Sequence, residues 1–223
     1  MKALFITSLF LIGMIAAGAQ DRFETSLGTD IVSHYVWRGQ DLGGVSVQPS
    51  LGFSYRGLSL SAWGSEGLSN PMDTRELDFT LAYEAGGFNI GVTDYWFPEI
   101  ASKVFEANIG YDFGFGSLQW FTNFAGDDSL NDKGRLAYSS YLEASVPFSL
   151  GGVECAATAG IVPFATDFYG VDCFAVINLA LTASKDIQIT DSFSITVFAQ
   201  LAANPYTKNA YLVFGISLQP NKE

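Results

Sequence analysis

The chain has 223 residues, 48% of them hydrophobic and only 15% charged, with a net charge of −12 at neutral pH. Soluble proteins carry about 25% charged residues, so this composition is too apolar for a fully solvated exterior. The acidic balance excludes nucleic acid as a partner, because phosphates need a basic footprint.

The N-terminus reads as an export signal. Lys2 gives a positive start, Leu4 to Ala16 form a short apolar core, and Ala17-Gly18-Ala19 is a small-residue cleavage pattern. Residues 1–19 are therefore expected to be removed, leaving 20–223 as one domain. No Cys stands at the cleavage point, which argues against a lipid anchor. After Gln20 no run of about eighteen apolar residues occurs, so a membrane-spanning helix is excluded. A closed β-barrel is the other way to cross a bilayer with every backbone group paired.

Two-residue alternation, the signature of a strand with two unlike faces, then runs along almost the whole chain. The first strand is read through Asp30–Gly39, with Leu27, Ile31, Tyr35 and Trp37 on one face and Glu24, Asp30, His34 and Arg38 on the other. Val45–Tyr55 follows, and Arg56-Gly57 turns into Leu58–Gly64, where Trp63 shares the face of Ser59 and Ser61. Arg75–Glu84 sets Leu77, Phe79, Leu81 and Tyr83 against Glu76, Asp78 and Thr80. Ala85-Gly86-Gly87 leads into Phe88–Phe97, and Lys103–Asp112 sets Phe105, Ile109 and Tyr111 against Glu106 and Asn108.

The second half repeats the pattern more faintly, in Ser117–Phe124, Arg135–Phe148, Val153–Val162, Cys173–Ala183, Ile187–Ala202 and Asn209–Gln219. In Arg135–Phe148, Tyr141 falls on the polar face with Ser139, Glu143 and Ser145. The expectation is an all-β, antiparallel transmembrane barrel of twelve strands, with ten as the nearest alternative because strands seven, nine and eleven alternate weakly. Longer polar loops follow the odd strands and mostly shorter turns follow the even ones, as in outer-membrane barrels. A secreted soluble sandwich also alternates. Low charge, few lysines on the polar faces and aromatics near strand ends (Tyr35, Trp37, Tyr83, Tyr95, Trp96 and Tyr111) favour the membrane barrel, those aromatics forming an interfacial girdle.

At Tyr35-Val36-Trp37-Arg38-Gly39 the sequence resembles the TorF-type porin family. Ala62-Trp63-Gly64-Ser65, Glu76-Leu77-Asp78 and Asp94-Tyr95-Trp96-Phe97-Pro98 continue the resemblance in order, to about Asp112. It implies an outer-membrane β-barrel of Gram-negative bacteria, a porin by similarity, with no agreed substrate and no catalytic residues. One departure is the C-terminus, which runs past Phe214 to Glu223 where such barrels often end on an aromatic residue.

The polar faces collect Asp30, His34, Arg38, Glu76, Asp78, Glu106, Arg135 and Glu143 as lumen candidates. They read equally as a cation-favouring ring at the outer mouth or as ion pairs filling a narrow lumen. Some twelve-stranded barrels are Ser–His phospholipases, but Ser33 and His34 are adjacent and so point to opposite faces. A hydrolase would need a Ser or Asp from elsewhere within hydrogen-bond reach of His34. The loop acids Asp127, Asp128 and Asp132 lack the Gly and Glu spacing of an EF-hand. No catalytic residue, metal or cofactor is expected. Cys155 and Cys173, the only cysteines, lie low and high on consecutive strands and are read as free thiols. The reading is a non-enzymatic porin for small hydrophilic solutes with a narrow acidic lumen. Its partners would be outer-membrane lipid, those solutes and, during biogenesis, the barrel-assembly machinery. A sealed structural or surface-interaction barrel is the alternative.

Overall fold

In a computed structural model, residues 23–70, 73–190 and 193–220 are described; the expected signal peptide, Pro71 and the last residues of the C-terminal tail lie outside them. The segments that alternate in sequence form the strands. In chain order these are β1 (Glu24–Val32), β2 (Tyr35–Trp37), β3 (Gln40–Gly43), β4 (Ser46–Tyr55), β5 (Leu58–Gly67), β6 (Glu76–Ala85) and β7 (Phe88–Phe97). They continue as β8 (Ser102–Asp112), β9 (Ser117–Gly126), β10 (Ser140–Leu150), β11 (Val153–Val162), β12 (Ala175–Thr190), β13 (Phe193–Asn204) and β14 (Asn209–Pro220).

Twelve strands, β1 and β4 to β14, close into one antiparallel barrel. Strand β1 seals the seam by pairing with β4 on one side and β14 on the other. The remaining two, β2 and β3, form a separate hairpin between β1 and β4.

The connections differ in length at the two ends. At one end, residues 56–57, 86–87, 113–116 and 151–152 make tight links. At the other, residues 33–45, 68–75, 127–139 and 163–174 make long ones, whereas 98–101 and 205–208 are no longer than 113–116, so the length expected after every odd strand holds for four of the six. These are called the turn end and the loop end below.

The period of two separates the faces as expected. Leu27, Leu60, Leu81, Ile90, Ile109 and Leu201 point outward and are 52–64% exposed. Ser46, Gln48, Thr80, Thr93, Ser145 and Thr182 point inward and are buried. Inward hydroxyls pair across strands, Thr80 with Thr93 at 2.9 Å and Ser145 with Thr158 at 3.1 Å. The barrel is thus inverted relative to a water-soluble one: apolar outside, polar within.

Three predicted boundaries shift. The first wall strand ends at Val32, so Tyr35–Gly39 belongs to the hairpin. The strand read from Arg135 begins at Ser140, because residues 127–139 form a loop with a short 3-10 turn and a Leu130–Leu136 bridge. The break read near residues 184–186 is absent, and β12 runs on to Thr190 because Lys185–Gln188 continue the alternation and pair with β13.

Candidate functional site

The barrel is blocked at its loop end by its own chain. Ser33 keeps β1 tied to β14, its amide donating to the Phe214 carbonyl and its hydroxyl accepting the Phe214 amide. Beyond it the chain leaves the wall and folds inward as the β2–β3 hairpin. At the hairpin tip Arg38 and Gly39 both have positive φ, 49° and 74°, the pairing a two-residue type I′ turn needs. A Cβ on Gly39 would run into the backbone carbonyl of Ile177, so the tip sits hard against β12.

Each side chain of the hairpin meets a different part of the wall. Tyr35 donates its hydroxyl to Glu76 on β6 at 2.7 Å. Arg38 grips Glu106 on β8 with both terminal nitrogens, at 2.6 and 2.9 Å. Asn204 on β13 donates to the Gly39 carbonyl at 3.1 Å. The hairpin therefore crosses the lumen from β6 to β13.

A second segment folds in to meet it. Residues 163–174, braced by the Thr166–Val171 bridge and a hydroxyl bond between Thr166 and Ser139, carry Phe168 and Tyr169 inward. Tyr169 stacks on Trp37 with ring centroids 6.1 Å apart, and its hydroxyl accepts from Arg38 at 2.6 Å. The guanidinium is boxed by Trp37, Phe121 and Tyr141, each centroid 4.1–4.6 Å away. Around it lies a compact cluster of Tyr141, Val162, Tyr169, Val171, Ala175 and Ile177. Glu106 faces inward by the plain alternation of β8, with Ser102 and Val104; the register shift beside it falls on β9, where Phe124 is the extra residue.

The charges are unbalanced. Glu76, Asp78, Glu106 and Glu143 are buried on the inner face, while Arg38 is the one buried Lys or Arg among the described residues. Tyrosines supply much of the compensation. Tyr95 donates to Glu106 at 2.8 Å and Tyr141 to Glu143 at 2.7 Å, with Asn178 in turn donating to Tyr141. Below this plug a cavity of about 530 Å³ runs from Trp37 and Arg38 down to Gly86, Gly87 and Gly114 at the turn end.

Among the lumen candidates, Asp30, Arg38, Glu76, Asp78, Glu106 and Glu143 are buried. His34 lies at the loop-end rim, half-exposed, 3.0 Å from Asp41 and stacked on Tyr211. Asp41 meets the condition set for a hydrolase, an Asp within hydrogen-bond reach of His34, but no nucleophile accompanies it: Ser33 is engaged with Phe214 and no serine hydroxyl bonded to His34 occurs among the described residues. Arg135 is not in the lumen: it is exposed in the 127–139 loop, where Asn131 caps the turn by accepting the Lys133 and Arg135 amides.

The aromatic girdle also needs correction. Tyr83 and Trp96 are exposed on the outside, and Tyr111 packs there against Phe88. Tyr35, Trp37 and Tyr95 are inside. The first two left the wall when the chain turned at Ser33–His34, which cancels the face assigned from β1. Tyr95 shares a face with Thr93, and adjacent residues such as Tyr95 and Trp96 cannot both point outward.

Sequence reasoning missed Tyr169 and Phe168, aromatics in what reads as a solvated loop. It also passed over Trp63 and Tyr141, although both stand on polar faces, which is itself a signal of an aromatic turned into a lumen. Cys155 and Cys173 are free. Among the described residues no group of three or more His, Cys, Asp or Glu is placed to hold a metal ion.

The family model described as "bacterial protein of unknown function (Gcw_chp)" matches residues 16–199. The chain belongs to the Gcw_chp family. The match covers most of the barrel, from before β1 into β13. No curated protein matches this Gcw_chp chain. Among solved structures, one described as a porin is similar with a TM-score of 0.37 and 14% identity, covering 78% of this chain. The chain spans 62% of that porin's length. Salmonella typhi OmpF in complex with daunomycin is similar with a TM-score of 0.37 and 8% identity, over 89% of this chain and 97% of that one.

Proposed function

We propose that this Gcw_chp chain is a bacterial outer-membrane barrel of the TorF porin type, exported by its N-terminal signal and inserted by the barrel-assembly machinery. It is not an enzyme. It admits small hydrophilic solutes, cations preferentially, into an acidic lumen, and passage to the far side requires the hairpin to withdraw. The observation that carries this reading is the inverted barrel: an apolar belt of exposed leucines and isoleucines surrounds a polar interior that holds a cavity reaching the turn end. An apolar belt of this kind is what lipid demands of a closed sheet.

A second reading has its own support. The cross-lumen contacts of Arg38, Gly39 and Tyr35 favour a permanently sealed barrel with a structural or surface role. Planar-bilayer conductance separates the two. The purified protein is compared with a variant in which residues 35–43 are replaced by a short glycine–serine link. Cation-selective current that is small or intermittent in the parent and large in the variant supports the channel. Absence of current from both overturns it in favour of the sealed barrel.

A further inference from the structure

Two carboxyl groups lie against each other beneath the hairpin. Glu76 and Asp78 stand two residues apart on the inward face of β6 and are 7% and 2% exposed. Their side chains share a hydrogen bond. An ionised carboxylate has no donor, so that bond exists only while one of the two groups carries a proton. The pair therefore holds one proton and one negative charge between its members.

Among the described residues, nothing beside the pair can stand in for that proton. On β5 the residues directly opposite are Ser65 and Trp63, neither of them charged. On β7 Tyr95 lies opposite Asp78 and gives its hydroxyl to Glu106. Glu106 on β8 and Asp94 on β7, the latter bridged to the exposed Lys103, add negative charge. Arg38 on the hairpin is committed to Glu106 through two bonds and to Tyr169 through a third. Stripped of the proton, two adjacent carboxylates would repel each other with no cation between them.

The hairpin closes over this pair through Tyr35, the first residue of β2. Its hydroxyl donates to Glu76 at 2.7 Å, and its ring packs on Trp63 with centroids 5.6 Å apart. With Tyr35 docked, both carboxyls are shut away from water. With the hairpin withdrawn they are hydrated, and hydrated carboxyls ionise in the ordinary range near pH 4, as marked by about 3.9 for Asp and about 4.3 for Glu.

We propose that the Glu76–Asp78 pair is a proton-operated latch on the β2–β3 hairpin: the shared proton keeps the hairpin docked, and its loss at alkaline pH releases it. The sign follows from the proton count. Above the ordinary carboxyl range the docked state holds one proton that the withdrawn state has lost. Raising the pH therefore favours withdrawal, by up to about tenfold per unit, until the docked pair itself ionises. The inference deepens the channel reading of the same lumen and rests on it for the consequence that release opens the loop end.

The test reads docking of the hairpin directly. A nitroxide is attached at Asp41→Cys on β3 of the full-length mature protein in detergent micelles, with Cys155→Ala and Cys173→Ala removing the native thiols. Replacing Asp41 also removes its contact with His34, so that contact cannot imitate the latch. EPR spectra from about pH 5 to 9, above the ordinary carboxyl range, give the ratio of mobile to immobile label. The expected result is a ratio that rises at least tenfold across this interval. Asp78→Asn and Glu76→Gln each replace the shared proton with an amide donor present at every pH, and the label should stay immobile throughout in both. Heat-modifiable gel mobility shows which variants are folded barrels; should one fail to fold, the other carries the test. A ratio that is constant or falls with rising pH, or a rise that persists in the folded amide variants, would overturn the latch. Conductance is scored separately. A label released at high pH without current retains the latch and loses the channel, whereas current from a barrel whose label ignores pH retains the channel and loses the latch.

Discussion

Arg38 and Glu106 are 68 residues apart in sequence and meet inside the barrel as a two-bond ion pair, the arginine at a hairpin tip and the carboxylate on the wall. The pair is almost wholly buried, with 4% and 2% of the two side chains exposed. Removing one partner from a buried pair leaves an uncompensated charge and costs about 3–5 kcal/mol. Arg38→Ala is therefore expected to lower the barrel's urea stability by about that amount and to release Trp37 from its stack on Tyr169. Arg38→Lys should rescue little, because an ammonium cannot span both oxygens of Glu106 while also reaching the Tyr169 hydroxyl. Urea unfolding followed by tryptophan fluorescence checks both outcomes; a parent-like midpoint for Arg38→Ala would show that the hairpin is held by other contacts.

Gly39→Ala tests the same hairpin through its backbone. The φ of 74° disfavours any residue with a Cβ, and the added carbon has the Ile177 carbonyl in its way. The expected result is a hairpin displaced from β12, seen as loss of hydrogen-exchange protection over residues 35–43 with protection of β4 to β14 retained. Uniform loss across the barrel would mean that the hairpin and the wall fold as one unit.

The barrel was legible in the sequence because the side-chain period of a strand is two and the polar–apolar contrast across it is large. Leu81 beside Thr80 is enough to tell outside from inside. The hairpin was not legible for the same reason: Tyr35, Trp37 and Arg38 continue the alternation of β1 without interruption, so nothing in their spacing marks the point where the chain leaves the wall. The break at Ser33–His34 depends on the inward partners Glu76, Glu106 and Tyr169, which lie far away in sequence. Aromatics on a polar face, Trp63 and Tyr141, were the one local sign that the lumen is filled.

At the loop end, Tyr206 donates its hydroxyl to Asp172 at 2.7 Å, joining residues 163–174 to the β13–β14 loop. That bond holds the Asp172 carboxyl below its ordinary range, and Tyr206 is pushed above its own. A lowered carboxyl favours the joined state above the ordinary aspartate pKa of about 3.9 and loses that contribution as pH falls through the lowered value. A raised tyrosine contributes below the ordinary value of about 10 and loses it as pH rises through the raised one. Limited proteolysis of residues 163–174 should therefore be slowest from about pH 4 to 10 and accelerate on either side, and Asp172→Asn should flatten the acid limb. An acid limb that persists in Asp172→Asn would assign it to another carboxylate.

Cys173 borders this contact and its thiol is raised by hydrogen bonding to Asp172. Since the thiolate is the reactive form, maleimide labelling of Cys173 at neutral pH is expected to be slow for an exposed thiol and faster in Asp172→Asn. Cys155→Ala isolates the signal. Equal rates with and without the Asp172 side chain would remove Asp172 as the cause.

The outer belt gives the sharpest contrast between a membrane barrel and a soluble one. Leu81 is 53% exposed and pairs laterally with Leu60 on β5 and Val92 on β7, near the middle of the strands. Under water an exposed Leu→Arg change is close to neutral, whereas a midplane arginine facing lipid costs about 2–4 kcal/mol in a barrel. Leu81→Arg is expected to reduce the yield of folded, heat-modifiable protein on refolding into vesicles and to lower its urea midpoint there. Leu150→Arg, beside the 151–152 turn, should have little effect in the same assay, because the cost falls to about 0–1 kcal/mol near the interface. Equal tolerance of both arginines in vesicles would place the belt outside the bilayer.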